Sequence, residues 1–241
     1  MNELNIVTLL GSGNGTEGNT GKIVTAVLNS IMKEQPNLIV NNIIFTIRDM
    51  STEYCLGCKS CFTKGVCPLD ELDSLSKIKK ELLKANLVIL SSPVYSGHIS
   101  GCLKNLIDRL SYWTHLMELA GKVCIIVVTA QGNGIAETAN YLFEIASFLG
   151  MSVLGVVYKS TLYPMKAVEQ QIILLLTRLN YYIKEERISS NQFLESKFLG
   201  FKKIYKSISQ KNKQQHYEAS LWEKRNYLKL QSFQELIEMK K

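Results

Sequence analysis

Five short runs rich in Val, Ile and Leu punctuate the first part of the chain, and segments with helical spacing fill the gaps between them. The runs cover residues 4–10, 39–47, 87–91, 123–129 and 153–158. Near-continuous apolar runs of this length mark strands buried on both faces of a parallel sheet. Residues 20–34 place Ile23, Val27, Leu28 and Ile31 on one helical face, and residues 72–84 do the same with Leu72, Leu75, Ile78, Leu82 and Leu83. A shorter helix is expected over 103–110, with Lys104, Asp108 and Arg109 on its wet side. A fourth runs over 136–150 and stops at Gly150 as its cap. Strand and helix alternate five times, which predicts an α/β fold with a doubly wound, five-stranded parallel sheet.

The chain has 241 residues, and no internal repeat or linker cuts it in two. Residues 1–164 read as the α/β domain and residues 165–241 as a helical C-terminal extension. The extension opens with an apolar segment over 168–188 that includes Ile172, Ile173, Leu175, Leu176 and Leu179. A seam of Leu194, Phe198, Phe201, Tyr205 and Ile208 follows at steps of 4, 3, 4 and 3. Burial of such side chains contributes roughly 1.5–3 kcal/mol each, so the seam is expected to pack between subunits of a homodimer or higher oligomer. The net charge of +7 comes wholly from the extension, with 15 Lys and Arg against 8 Asp and Glu; residues 1–164 balance at 13 each. A basic tail can meet nucleic acid or anionic lipid, but a solvated helix face is the plainer reading, and nucleic acid is not the expected partner. No run of 18 apolar residues occurs, and the start lacks a cationic leader, so a soluble, cytoplasmic protein is expected.

The loop after the first run, Gly11-Ser-Gly-Asn-Gly-Thr-Glu-Gly-Asn-Thr20, enters the first helix. Free N–H groups at a helix N-terminus attract anions, most often phosphate. The phosphate-loop lysine of the GxxxxGK[ST] pattern is missing, because Asn19 follows Gly18. Gly13, Gly15 and Gly18 match GxGxxG, but no acid closes the second run as a dinucleotide site requires. A mononucleotide phosphate held by Ser12, Asn19, Thr20 and backbone amides fits best; the bland alternative is a polar turn capped by Asn19 or Thr20. Two further loops, 91–100 and 129–134, leave the carboxyl ends of later runs. Ligands of open α/β sheets bind at that edge. Tyr95 there offers a flat face for a ring system.

With these loops in view, the chain resembles the flavodoxin-like NAD(P)H-dependent FMN reductases. The likeness rests on Gly11-Ser12 with Gly18-Asn19-Thr20, on Ser92-Pro93-Val94-Tyr95 with Leu103-Lys-Asn-Leu-Ile-Asp-Arg109, and on Ala130-Gln131-Gly132. It spans roughly residues 4–164. It implies that Ser12, Gly18, Asn19 and Thr20 hold the FMN phosphate. It also implies that Pro93, Val94, Tyr95 and Ser96 line the isoalloxazine and ribityl chain, and that Ala130, Gln131 and Gly132 meet the pyrimidine end. Lys104, Asp108 and Arg109 then form a structural or subunit-contact set. The activity implied is electron transfer from NAD(P)H through FMN to a second molecule. No side-chain acid or base is assigned to catalysis.

Six cysteines occur, and four of them, Cys55, Cys58, Cys61 and Cys67, form C-x2-C-x2-C-x5-C. Such spacing suits iron–sulfur ligation, with tetrahedral zinc as a rival. It resembles the compact motif of the iron–sulfur flavoproteins, which implies a [4Fe–4S] cluster; cluster-free relatives keep similar cysteines as thiols near the flavin. Two rivals to the reductase reading follow. One is a one-electron carrier between partner proteins, using FMN and a cluster. The other is a basic nucleic-acid or membrane-surface module on a degenerate core. Cys102 and Cys124 read as small hydrophobes, and His98, in the second loop, as an exposed side chain or a substrate contact.

Overall fold

β1 (Glu3–Leu10) occupies the middle of the molecule because six of its eight side chains find cover on one face or the other. It pairs in parallel with β2 (Ile39–Thr46) on one side and β3 (Leu87–Pro93) on the other. β4 (Val123–Ala130) and β5 (Ser152–Ser160) extend the sheet, and the strand order is β2-β1-β3-β4-β5. This is the doubly wound order of flavodoxin-like folds, with its switch point between β1 and β3. The computed structural model describes residues 1–186, 188–211 and 216–240.

α1 (Asn19–Glu34) covers one face of the sheet, packing on β3 and β4. Its buried stripe of Ile23, Val24, Val27, Leu28 and Ile31 has the spacing read from the sequence. α3 (Leu75–Lys84), α4 (Gly101–Arg109), α5 (Ser111–Leu116) and α6 (Ile135–Phe148) supply the remaining connections, and a short helix, α2 (Ser60–Lys64), lies in the link between β2 and α3. Gly150, at φ 92°, takes the left-handed position just beyond α6. α7 (Met165–Glu185) packs on β5 and α1.

Three expectations are corrected. β2 is not buried on both faces: as an edge strand it covers only Phe45 fully. Its apolar run reflects β propensity more than burial. In α7, Ile173 is 63% exposed, because the buried stripe passes through Ile172, Leu175, Leu176 and Leu179, and Leu72 lies before α3 and is also exposed. Arg109 is not on a wet face. It is 2% exposed and pairs with Asp70 (3.1 Å) and Asp73 (2.6 Å), while Lys104 and Asp108 form the exposed pair.

The seam of α8 (Gln192–Lys211) is spent within the chain, against the expected subunit interface. Leu194, Phe198 and Tyr205 are buried, and Phe201 and Ile208 pack against the core. α9 (Tyr217–Lys224) and α10 (Phe233–Met239) supply the cover. Trp222 stacks on Phe198 at 5.6 Å between ring centres, and Phe233 lies 6.2 Å from the same ring. The cluster is fastened to α5 and the turn after it: Trp222 Nε1 donates to His115 O, and Arg225 forms a bidentate pair with Glu118. Buried Glu218 meets Tyr205 Oη at 2.8 Å and His115 Nδ1 at 3.1 Å. Among the described residues, no helix is long and apolar enough to cross a membrane.

Candidate functional site

The loop over residues 11–20 is shaped by close backbone contacts. Gly15 N donates to Ser12 O, and Gly18 N to Gly15 O. A Cβ on Gly21 would lie 2.4 Å from Gly15 O and 2.5 Å from Thr16 backbone atoms, so only glycine lets α1 start this close to the loop. Gly18 is the N-cap residue, and no side chain caps the helix. Asn19 and Thr20 therefore do not play the capping role weighed above. Thr20 Oγ1 instead sits 2.6 Å from Thr129 Oγ1 at the end of β4. The first amides of α1 have no partner within the helix and remain for a ligand.

The second loop is a tight reversal. Tyr95 and His98 exchange backbone hydrogen bonds of 2.8 and 3.0 Å, with Ser96 (φ 50°) and Gly97 (φ 79°) both left-handed between them. That is the geometry of a type I′ turn. Val94 N donates to Thr129 O, which ties the loop to β4. Tyr95 projects, 53% exposed, and His98 turns aside to pack on Tyr141 at 4.5 Å. The third loop leads into α6 through Gly134 at φ 86°, where a Cβ would strike Val94.

These loops enclose a cavity of about 950 Å³ at the carboxyl edge of the sheet. All eleven residues selected from the sequence line it: Ser12, Gly18, Asn19, Thr20, Pro93, Val94, Tyr95, Ser96, Ala130, Gln131 and Gly132. Sequence reasoning missed a further set: Lys159, Ser160 and Thr161 at the end of β5, and Met165 at the start of α7. It also missed Lys22, while Thr129 and Asn133 belong to the third loop already placed at this edge. The signal for the β5 set was available, since a fifth strand must also end at the ligand edge. The lining contains two lysines and no Asp or Glu. Such a pocket favours an anionic occupant.

The four clustered cysteines stand elsewhere; none lines the cavity. They lie in a loop whose neck is closed by Asp73, which accepts from Glu53 N (3.0 Å), Leu75 N (2.9 Å) and Arg109. Asn105 adds a bond to Thr52 O at 2.7 Å. Burial pushes the Asp73 carboxyl up, but the Leu75 amide, Arg109 and the Glu53 amide outweigh it and hold the group below its ordinary range. The far end of the loop rests against α5 and α9, with Phe62 5.1 Å from the His115 ring and Tyr217 lying over Gly65. Between these ends the thiols are free, and Cys55 and Cys58 face solvent. The Ser60 hydroxyl and amide hold the Cys58 thiol below its usual range, whereas burial and the neighbouring Cys67 push the Cys61 thiol up.

The convergence expected of the four sulfurs is not found. Among the described residues, no three His, Cys, Asp or Glu side chains are arranged to hold a metal ion. The donor chemistry suits an iron–sulfur cluster, and the four thiols stand ungathered here. Cys55 and Cys67 nonetheless lie near enough to Cys61 to act on its thiol.

Comparison with known proteins then decides the family. The family described as NADPH-dependent FMN reductase matches residues 4–161. The chain belongs to this family. An iron–sulfur flavoprotein of Methanocaldococcus jannaschii is 35% identical over 123 residues, covering 51% of this chain and 61% of the relative. One of Clostridioides difficile is 26% identical over 153 residues, 62% of this chain and 65% of the relative. The matches thus span less than two thirds of those relatives' length. Among solved structures, an NADH:FMN oxidoreductase superposes with a TM-score of 0.53 at 16% identity, over 80% of this chain and 92% of the other. A WrbA-like flavodoxin protein of Agrobacterium tumefaciens gives 0.51 at 15%, over 76% and 99%. At such identities the superpositions show a shared flavodoxin-like fold.

Proposed function

We propose that the protein is an FMN-dependent oxidoreductase that accepts electrons from NAD(P)H and delivers them to a small-molecule or protein acceptor. The observation that carries this reading is the cavity: three loops chosen for phosphate and ring binding line one acid-free pocket of about 950 Å³. Bound FMN would supply a two-electron centre that takes hydride from a dihydronicotinamide and yields the electrons, with protons, to the acceptor. The chain's own residues would bind and orient. Ser12 and Thr20 hydroxyls and the first amides of α1 would hold the phosphate. Pro93, Val94, Tyr95 and Ser96 would pack along the ring and ribityl chain, and the Ala130–Gly132 backbone would meet the pyrimidine edge. The type I′ turn fixes Tyr95 at the mouth of the pocket, where it limits what approaches the ring.

A second reading, a one-electron carrier with an iron–sulfur cluster, is favoured by the spacing of Cys55, Cys58, Cys61 and Cys67 and by the names of the curated relatives. A homo-oligomer also remains part of the proposal, on a face other than the covered seam of α8. Anaerobic purification followed by an absorption spectrum, iron and sulfide assay and titration with NADH and NADPH tests these readings together. The reductase reading expects about one FMN per chain, bleached by a reduced nicotinamide. A flavin-free protein, or a flavin that neither nicotinamide reduces, contradicts it. Stoichiometric iron and sulfide favour the carrier.

A further inference from the structure

The end of β5 carries a feature that neither the phosphate loop nor the ring-lining loops require. Lys159 stands in register with Thr129, one strand beyond the Thr20–Thr129 hydroxyl pair. Its ammonium donates to two backbone carbonyls, Ser160 O and Tyr163 O, within the turn that follows the strand. The same turn is knit by Leu162 N donating to Ser160 Oγ at 3.0 Å, and by Thr161 Oγ1 donating to Gln131 O. Lys159 is therefore a cation set in place by backbone, half-buried and facing the cavity.

An ammonium has three N–H donors, and two are used here. Among the described residues no carboxylate pairs with Lys159. The cavity also lies at the upper end of the range for a single ligand, roughly 300–1,000 Å³. One end of it is accounted for by the phosphate loop, and the turn at β5 lies across β4 from that end. A fixed, unpaired cation in a pocket without acids calls for a second anionic group.

We infer that Lys159 binds a phosphate of the nicotinamide dinucleotide while the flavin occupies the rest of the cavity, with Thr161 holding the turn through its bond to Gln131 O. This rests on the oxidoreductase reading and specifies it: among its reactants, the dinucleotide is the polyanion. Lys159 thus sets which hydride donors the protein accepts, and it takes no part in hydride transfer itself.

The test uses FMN-loaded protein, wild type against Lys159→Met and Lys159→Arg. NADP⁺ and NAD⁺ binding is measured by calorimetry. Flavin reduction is followed by stopped flow with NADPH, NADH and a neutral N-benzyl dihydronicotinamide. Loss of one charge-assisted hydrogen bond weakens binding about 10- to 100-fold. The expected result is that loss for the dinucleotides in Lys159→Met, partial recovery in Lys159→Arg, and unchanged reduction by the neutral donor. FMN and riboflavin affinities are measured in the same variants and should not move. Equal losses with the neutral donor, or a fall in FMN affinity that riboflavin does not share, would overturn the inference, the latter by assigning the lysine to the flavin's own phosphate. Unchanged dinucleotide binding in Lys159→Met overturns it too, with the oxidoreductase reading left standing. A wild-type flavin that no dihydronicotinamide reduces defeats both.

Discussion

The cavity and the cysteine loop were equally visible in the sequence, yet one is organised in the structure and the other is not. The cavity residues leave strands whose spacing and direction are set by parallel pairing, so the fold itself delivers Ser12, Pro93 and Ala130 to one edge. The cysteines occupy a loop between strand and helix, held by side-chain contacts of Asp70, Asp73 and Asn105 and by packing at Phe62 and Gly65. Spacing along a chain fixes position in space only where a regular element carries it. A site on strand ends is preorganised by the sheet; a site on a loop needs local contacts or a bound group to gather it.

The sharpest way to break that contrast is to damage one region and watch the other. Gly21→Ala forces a Cβ into Gly15 O and Thr16 backbone. Flavin binding should weaken by about 100-fold or more as the amides and hydroxyls lose alignment. Alkylation rates of Cys55 and Cys58 should stay as they were. If thiol reactivity changed in step with flavin affinity, the two regions would be one unit.

The reciprocal change is Gly65→Ala. Gly65 sits at φ 76°, and a Cβ there would come within 2.1 Å of the Tyr217 ring. The strain and displacement should cost about 2–3 kcal/mol in chemical denaturation and loosen α9 from the cysteine loop. FMN affinity should be unaffected. Retained stability would show that the tail does not clasp the loop.

Next in size is the neck. Asp73 has a depressed pKa in the folded state, so the unfolded chain binds more protons as pH falls. Its stabilisation is present above the ordinary carboxylate range, near 3.8, and is lost as pH drops through the lower folded value. Asp73→Asn should cost about 1–3 kcal/mol at neutral pH. It should also remove part of the acid-induced loss, so the curves for variant and wild type converge below pH 4. Parallel curves would remove Asp73 from the anchor. The smallest effect is expected at Lys104→Ala, whose exposed partner is Asp108: about 0.5 kcal/mol or less.

Most of the fold could be read in advance because its signals were local. Apolar runs gave five strands, and their alternation with helical spacing gave the doubly wound class. What could not be read was which strand lies at the edge, since β2 shares the β-branched character of the central strands and only topology exposes it. Arg109 misled for a similar reason: charge suggested solvent, but two aspartates from a distant loop bury it. The seam of α8 was correct as a buried stripe and wrong in its partner, because periodicity reports a covered face and not what covers it. The three loops that line the cavity were legible through Gly, Ser, Thr and Pro at strand ends. The end of the fifth strand was legible by the same rule, but Lys159 itself was passed over because a lone lysine after an apolar run looks like any solvated charge.

The central claim is that the cavity at the carboxyl edge is an FMN site whose phosphate end is built by Ser12 and Thr20. Titration of flavin-free protein with FMN and with riboflavin, in wild type and in Ser12→Ala with Thr20→Val, tests it most directly. The account predicts one FMN per chain and a marked preference for FMN over riboflavin in wild type. The double variant should lose that preference, about 100-fold, while keeping its affinity for riboflavin and its circular dichroism spectrum. An unchanged preference for FMN in the double variant would contradict the assignment.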